Sequence, residues 1–202
     1  MNLEMIDLTK RLDENLYIYA EETYSDPPLL IEPWCTVQSQ GYKVSRITMG
    51  TQCGTHIDAP SHFMEGGADL GALPVQALIG NYCLFDLDDA AHSGSTQLNY
   101  QGEPILFLRS GGGVEIPADV FNSLLTLPCR VWVIMYDIRI TGRDIFYFNR
   151  ALAEAGKYLV ENIDETAALR LKSGGELFAL PLNLVSTSGA PCRVVVRQQP
   201  AD

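Results

Sequence analysis

Basic residues are scarce in this chain: 14 lysines and arginines stand against 25 aspartates and glutamates, a formal charge of −11. A surface of that sign repels phosphate, which argues against nucleic acid as a partner and against an anionic bilayer surface. Long apolar runs are missing as well, so no stretch reads as a membrane span. Cysteine is sparse and unpatterned. Cys35, Cys53, Cys83, Cys129 and Cys192 are odd in number and contain no C-x-x-C pair. Free thiols in a reducing cytoplasm are the simplest reading. Met1 to Arg11 alternates charged and apolar residues and lacks the apolar region of a signal peptide, which agrees with a cytoplasmic location. No internal repeat or interdomain linker interrupts the 202 residues, so residues 1–202 read as a single domain.

Histidine is rare too, with three in the whole chain, and two of them fall in one stretch, Gln52-Cys53-Gly54-Thr55-His56-Ile57-Asp58-Ala59-Pro60-Ser61-His62. On an extended backbone His56 and Asp58 point to the same side. Gly54 permits a bend or close approach just before them. Pro60 fixes its own φ and biases Ala59 toward extension, so His62 returns along a stiff turn. Two imidazoles and a carboxylate on a short rigid loop suit a divalent metal with nitrogen and oxygen ligands. They equally suit general acid–base chemistry. Cys53, inside the same stretch, reads either as a nucleophile or as a small buried apolar residue.

The run Gly54-Thr55-His56-Ile57-Asp58-Ala59-Pro60-Ser61-His62-Phe63 resembles the signature of the metal-dependent hydrolase and cyclase family that includes bacterial kynurenine formamidase and isatin hydrolase. Further resemblances lie in Ile6-Asp7-Leu8-Thr9, in Tyr158-Leu159-Val160-Glu161-Asn162 and in Ser188-Gly189-Ala190-Pro191-Cys192-Arg193. The resemblance implies a swivelling β/β/α architecture that assembles as a homodimer or larger homo-oligomer. It implies His56, Asp58 and Glu161 as metal ligands and His62 as a group beside the metal. Two positions depart from the family pattern: Gln52 and Asn149 stand where it has histidines. A neutral amide is a weaker zinc ligand than imidazole, so one ion, zinc or a harder metal such as manganese, or no ion at all, is expected in place of a binuclear site.

Along the chain, Met5 to Leu8 reads as a strand, and Asp13 to Pro33 as an irregular arm. Tyr17, Tyr19, Tyr24 and Trp34 are candidates for an aromatic wall against a planar substrate, or for packing beneath a loop. Tyr42 to Met49 alternates like a strand and leads into the motif. Pro74 opens a short helix that Gly80 closes, and Cys83 to Leu87 is a strand. His92 lies in a polar loop and reads as solvated. Ile105 to Leu108 is a buried strand. The Gly111-Gly112-Gly113 run after it lacks the lysine and hydroxyl of a phosphate loop.

Pro117 to Leu127 is an amphipathic helix, and Arg130 to Tyr136 a central strand ending near Asp137. A helix over Asp144 to Ala155 stops at Gly156. The strand Lys157 to Glu161 delivers Glu161 at its end. Asp164 caps a helix through Leu171. Phe178 to Leu182 and Arg193 to Arg197 complete an α/β fold with a mixed sheet and flanking helices.

Three functions follow from this reading. The first is a metal-dependent hydrolase of a small amide, formamide or lactam, with His56, Asp58 and Glu161 on the metal, His62 and Glu161 in proton transfer, and Gln52 orienting water or substrate. The second is a metal-independent cyclase, dehydratase or isomerase using His62 with Glu161 or Asp58. The third is a noncatalytic ligand-binding protein. All three take a small molecule as partner.

Overall fold

β-Branched and aromatic runs dominate the sequence. In the computed structural model, which describes residues 3–89 and 98–200, they pair into one large sheet. In chain order the elements are β1 (Glu4–Asp7), β2 (Leu30–Cys35), α1 (Val37–Gln40), β3 (Val44–Thr48), β4 (His56–Asp58), β5 (Ile79–Asp86), β6 (Ile105–Arg109) and β7 (Val114–Ile116). Then follow α2 (Ala118–Leu125), β8 (Val131–Ile134), β9 (Ile138–Ile140), α3 (Tyr147–Glu154), β10 (Tyr158–Glu161), α4 (Glu165–Ala168), β11 (Glu176–Pro181) and β12 (Gly189–Gln198). Short 3₁₀ turns occupy Pro60–His62, Leu70–Ala72 and Val75–Leu78.

The sheet runs β1-β12-β11-β5-β6-β8-β10-β4, and β4 pairs back onto β12. That last pairing closes a ring through every strand except β1, which lies on the far half of β12. The segment β5-β6-β8-β10 is parallel and the remaining pairings of the ring are antiparallel. Parallel strands with both faces covered read as continuous apolar runs, as Ile105 to Leu108 and Val131 to Ile134 do. On these strands Ile105, Phe107, Val131 and Val133 point into the ring. Leu106, Leu108, Trp132 and Ile134 point outward. There α2 and α3 cover them with Val120, Phe121, Leu124, Phe148 and Leu152. Burying a side chain the size of Phe121 or Phe148 stabilises the fold by about 1.5–3 kcal/mol.

The single α/β domain with a mixed sheet and flanking helices is as the sequence implied. Several boundaries move. The segment expected to be an irregular arm through Pro33 ends in a strand, because β2 pairs with β3 in a separate two-stranded hairpin. Pro33 is accommodated by a register shift in that pairing. Gly80 does not close a helix. It lies within β5, where a side-chain carbon would sit 2.6 Å from Pro104 Cγ, so close packing and not a turn demands glycine. The helix expected from Asp144 begins at Tyr147, since Asp144 instead holds a turn, accepting from the Phe146 N–H at 3.1 Å. The helix capped by Asp164 is a single turn ending at Ala168. The loop reading of His92 lies outside the described residues. All five cysteines are free thiols. No described helix is long and apolar enough to cross a membrane.

Candidate metal centre

Two neighbouring strands bring the titratable residues together. β4 runs antiparallel to β10 with His56 directly opposite Glu161, and Ile57 opposite Val160. Ile57 turns into the ring core, and strand alternation therefore sends His56 and Asp58 to the other face together. Gly54, at φ +64°, turns the chain into β4 and presents its carbonyl to His56 Nδ1 at 2.8 Å. That contact makes Nδ1 the protonated nitrogen of a neutral ring and leaves the Nε2 lone pair facing inward. Thr55 ties the two strands' ends. Its hydroxyl donates to Asn162 O at 2.7 Å and accepts from Lys10 N–H at 2.9 Å. Asn162 holds a left-handed conformation, φ 55°, just after Glu161.

His56 Nε2 lies 3.5 Å from Asp58 Oδ1 and 3.3 Å from Glu161 Oε1. One ligand atom from each of the three residues falls within 4.8 Å of the others. His56 and Asp58 are only 2% and 4% exposed. Yet His56 Nε2 and Asp58 Oδ2 make no hydrogen bond within the protein. Buried acceptors without donors are costly, and two carboxylates packed against one imidazole are costlier still. A divalent cation satisfies all of them at once, and a mixed nitrogen and oxygen set suits zinc or manganese. By charge and donor chemistry, the residues fit a metal ion.

The protonation energetics agree. Burial disfavours a charged His56, but the Glu161 and Asp58 carboxylates outweigh it and raise the imidazole to about 9. Burial likewise pushes the Asp58 carboxyl up, against the opposing pull of His56. Without a metal, a proton takes the cation's place between the carboxylates.

Gln52 approaches from the side. Its Nε2 donates to Asp58 Oδ1 at 3.3 Å and to Ser188 Oγ at 3.4 Å, while its carbonyl accepts from the Thr51 hydroxyl at 2.6 Å. It therefore turns its donor, and not its oxygen, toward the ligand group. Gly189 makes this possible: a side-chain carbon there would stand 2.6 Å from Ile57 O and 2.7 Å from Gln52 Nε2.

Beside the cluster opens a cavity of about 450 Å³. Its wall includes Gln52, Cys53, His56, His62, Asn149 and Glu161. His62 follows β4 on the Pro60–His62 turn and is accessible to solvent, its ring edge-on to Phe63 at 4.6 Å. Desolvation by the surrounding protein holds its pKa below the ordinary value despite the pull of Glu161. Tyr17, Tyr19 and Tyr24 of the arm line the cavity, but Trp34 does not; it sits exposed on β2 with Arg46 over its ring. Cys53 is buried and its thiol pKa is raised by desolvation, the wrong direction for a nucleophile. Asn149 reaches the cavity wall from α3.

Asp26 and Arg139, which the sequence did not single out as site residues, also line the cavity. Asp26 lies in the arm, and Arg139 stands where the resembled family's segment after Asp137 carries a threonine.

The Cyclase family model matches residues 6–121, more than half the chain. Kynurenine formamidase from Bacillus cereus is 28% identical over 213 residues, covering 96% of this chain and 97% of its own. The enzyme of the same name from Geobacillus thermodenitrificans is also 28% identical, with the same coverage. Among solved structures, isatin hydrolase A from Labrenzia aggregata bound to benzyl benzoate superposes with a TM-score of 0.77 at 18% identity, covering 98% of this chain and 94% of its own. A structure described as a potential metal-dependent hydrolase with cyclase activity gives 0.69 at 25% identity, covering 99% and 100%. With the signature stretch, the ring of strands and the matched family model in agreement, this chain belongs to the Cyclase family.

Proposed function

We propose that this protein is a metal-dependent hydrolase of a small, non-peptide amide, formamide or lactam. One divalent ion, zinc or manganese, is held by His56, Asp58 and Glu161. The observation that carries this reading is the buried His56 Nε2, set between two carboxylates with no hydrogen-bond partner in the protein while Nδ1 is held by the Gly54 carbonyl. The kynurenine formamidase relatives, matched along 96% of the chain, support the class of bond cleaved.

The bound ion supplies a Lewis acid that polarises a carbonyl and makes water more acidic. The chain's own residues do the rest. His62, whose neutral form is favoured because desolvation lowers its pKa from the ordinary imidazole value, accepts the proton of the attacking water. It returns that proton to the leaving nitrogen, so that amide and water become carboxylic acid and amine. Gln52 fixes the Asp58 carboxylate through its amide N–H. The aromatic side chains Tyr17, Tyr19, Tyr24, Phe63, Phe146 and Phe148 hold a planar group and exclude water. A donor resting on Asp58 Oδ1 also repels a second cation, which favours a mononuclear site. The exposed apolar residues of the β2–β3 hairpin, among them Ile31, Trp34 and Ile47, support assembly with a second copy of the chain.

The test is hydrolysis of simple N-formyl arylamines by purified protein. Exhaustive chelation is expected to abolish turnover, and zinc or manganese to restore it. Undiminished turnover by protein shown to be metal-free would contradict the reading.

A further inference from the structure

β10 delivers Glu161 where β8 and β10 have begun to separate. The parallel pairing matches Tyr158, Leu159 and Val160 with Val131, Trp132 and Val133, and it stops at Val160. A cavity of about 260 Å³ opens beyond it, lined by Met135 and Asp137 after β8 and by Glu161, Asn162 and Glu165 at and after the end of β10. The large cavity reaches Glu161 from its own side. Glu161 keeps its register with His56 on β4. A carboxylate at the end of a strand, open to two cavities, needs a further hold to stay there.

That hold lies in the next residue. The chain leaves Glu161 through Asn162 at φ 55°, a left-handed conformation that asparagine tolerates but does not prefer. The Asn162 carbonyl accepts from the Thr55 hydroxyl at 2.7 Å, and the same hydroxyl oxygen accepts from the Lys10 N–H at 2.9 Å. Thr55 is 1% exposed, and its own carbonyl accepts from the Cys192 N–H at 2.9 Å, which fixes it to β12. The segment around Lys10 grips the residues that follow Asn162. Leu8 O accepts from the Asp164 N–H at 2.7 Å, Thr9 bridges Ile163, and the Lys10 ammonium pairs with Glu165 at 2.7 Å. One buried hydroxyl thus joins three chain segments directly behind Glu161. Valine would fill the same volume and suit an extended backbone equally. Only a hydroxyl satisfies the Asn162 carbonyl and the Lys10 N–H together.

We propose that Thr55 is a positioning residue for Glu161: its hydroxyl fixes the Asn162 turn and so sets the Glu161 carboxylate against His56. Thr55 touches neither metal nor substrate in this scheme. Its consequence for zinc rests on the hydrolase reading above; its consequence for the place of the carboxylate does not.

The test separates the two. Thr55→Val removes the hydroxyl and keeps the shape, and Thr55→Ser keeps the hydroxyl. Both are checked for fold by circular dichroism and crystallised without metal. In Thr55→Val the Asn162 turn is expected to relax and Glu161 Oε1 to stand beyond the 3.3 Å it keeps from His56 Nε2, whereas Thr55→Ser retains that distance. Zinc affinity, measured by competition with a chromogenic chelator, is expected to fall about 10–100-fold in Thr55→Val, the range for loss of a group that orients a ligand. Thr55→Ser is expected to restore it. The loss must run through Glu161, so adding Thr55→Val to Glu161→Gln should lower affinity no further. Should Thr55→Val not fold, Asn162 tests the turn from the other side. Asn162→Gly accepts the left-handed conformation and is expected to keep zinc affinity, and Asn162→Val resists it and is expected to lose it. A carboxylate unmoved in Thr55→Val would overturn the proposal. So would the same loss of affinity in the Glu161→Gln background, or equal affinity of the two Asn162 variants. A wild type that binds no zinc, with the carboxylate displaced in Thr55→Val, would sink the metal reading and leave Thr55 as the positioning residue.

Discussion

His56 and Glu161 face each other across adjacent antiparallel strands, with Nε2 and Oε1 3.3 Å apart. Neither residue is near the other in sequence. Their meeting depends on β4 inserting between β10 and β12 to close the ring. The fold thus builds the candidate ligand group at its own point of closure, from rigid strands and not from loops.

Metal uptake is expected to release protons. In the metal-free protein His56 is raised to about 9 by its carboxylate neighbours, so near pH 7 its imidazole is charged. An ion needs the neutral ring, and must displace that proton. The sign follows: affinity rises with pH up to about 9 and levels off above it. Calorimetric zinc titrations in buffers of differing ionisation enthalpy should report release of about one proton per ion or more near pH 7. Uptake without proton release would show that His56 is not a ligand.

Turnover should fall on the acid side through the titration of His62. Partial desolvation by the surrounding protein disfavours the charged form of that ring and lowers its pKa from the ordinary imidazole value. The neutral form is the base, so kcat/KM is lost as pH falls through a midpoint below that of an ordinary imidazole, and is level above it until another group titrates. His62→Asn is expected to lower kcat by about 10²–10⁴-fold and to leave zinc content intact. A variant that keeps both kcat and the acid limb would remove His62 from the mechanism.

Gly189→Ala probes the packing that seats Gln52. The added carbon meets Ile57 O at 2.6 Å and Gln52 Nε2 at 2.7 Å, and the carbonyl, being backbone, cannot swing aside. Overpacking of this kind costs about 1–3 kcal/mol, read as a lower midpoint in urea. Displacing the Gln52 amide from Asp58 should also alter zinc affinity in the same variant. Unchanged stability and unchanged affinity together would show that the close approach at Gly189 is unimportant.

Much of this was legible in the sequence because it is local. His56, Asp58 and the Pro60 turn lie within a few residues of one another, and strand alternation alone puts the first two on one face. The apolar runs at Ile105 and Val131 gave central strands for the same reason. The rest is set by long-range packing. The role of Gly80 is decided by Pro104, a neighbour on another segment. The β2–β3 hairpin is exposed on both strands, so no half-buried alternation marks where β2 begins. Gln52's orientation depends on Ser188 and Thr51, and Arg139's exposure to the cavity depends on β9 lying beside β7. No pattern in the chain encodes those contacts before it folds.

The most direct examination is a crystal of the zinc-loaded protein with anomalous scattering recorded on both sides of the zinc edge. A lone peak per chain is expected, bonded to the His56 imidazole through Nε2 and to the carboxylates of Asp58 and Glu161. Two peaks per chain, or a peak that leaves His56 uncoordinated, would contradict the account.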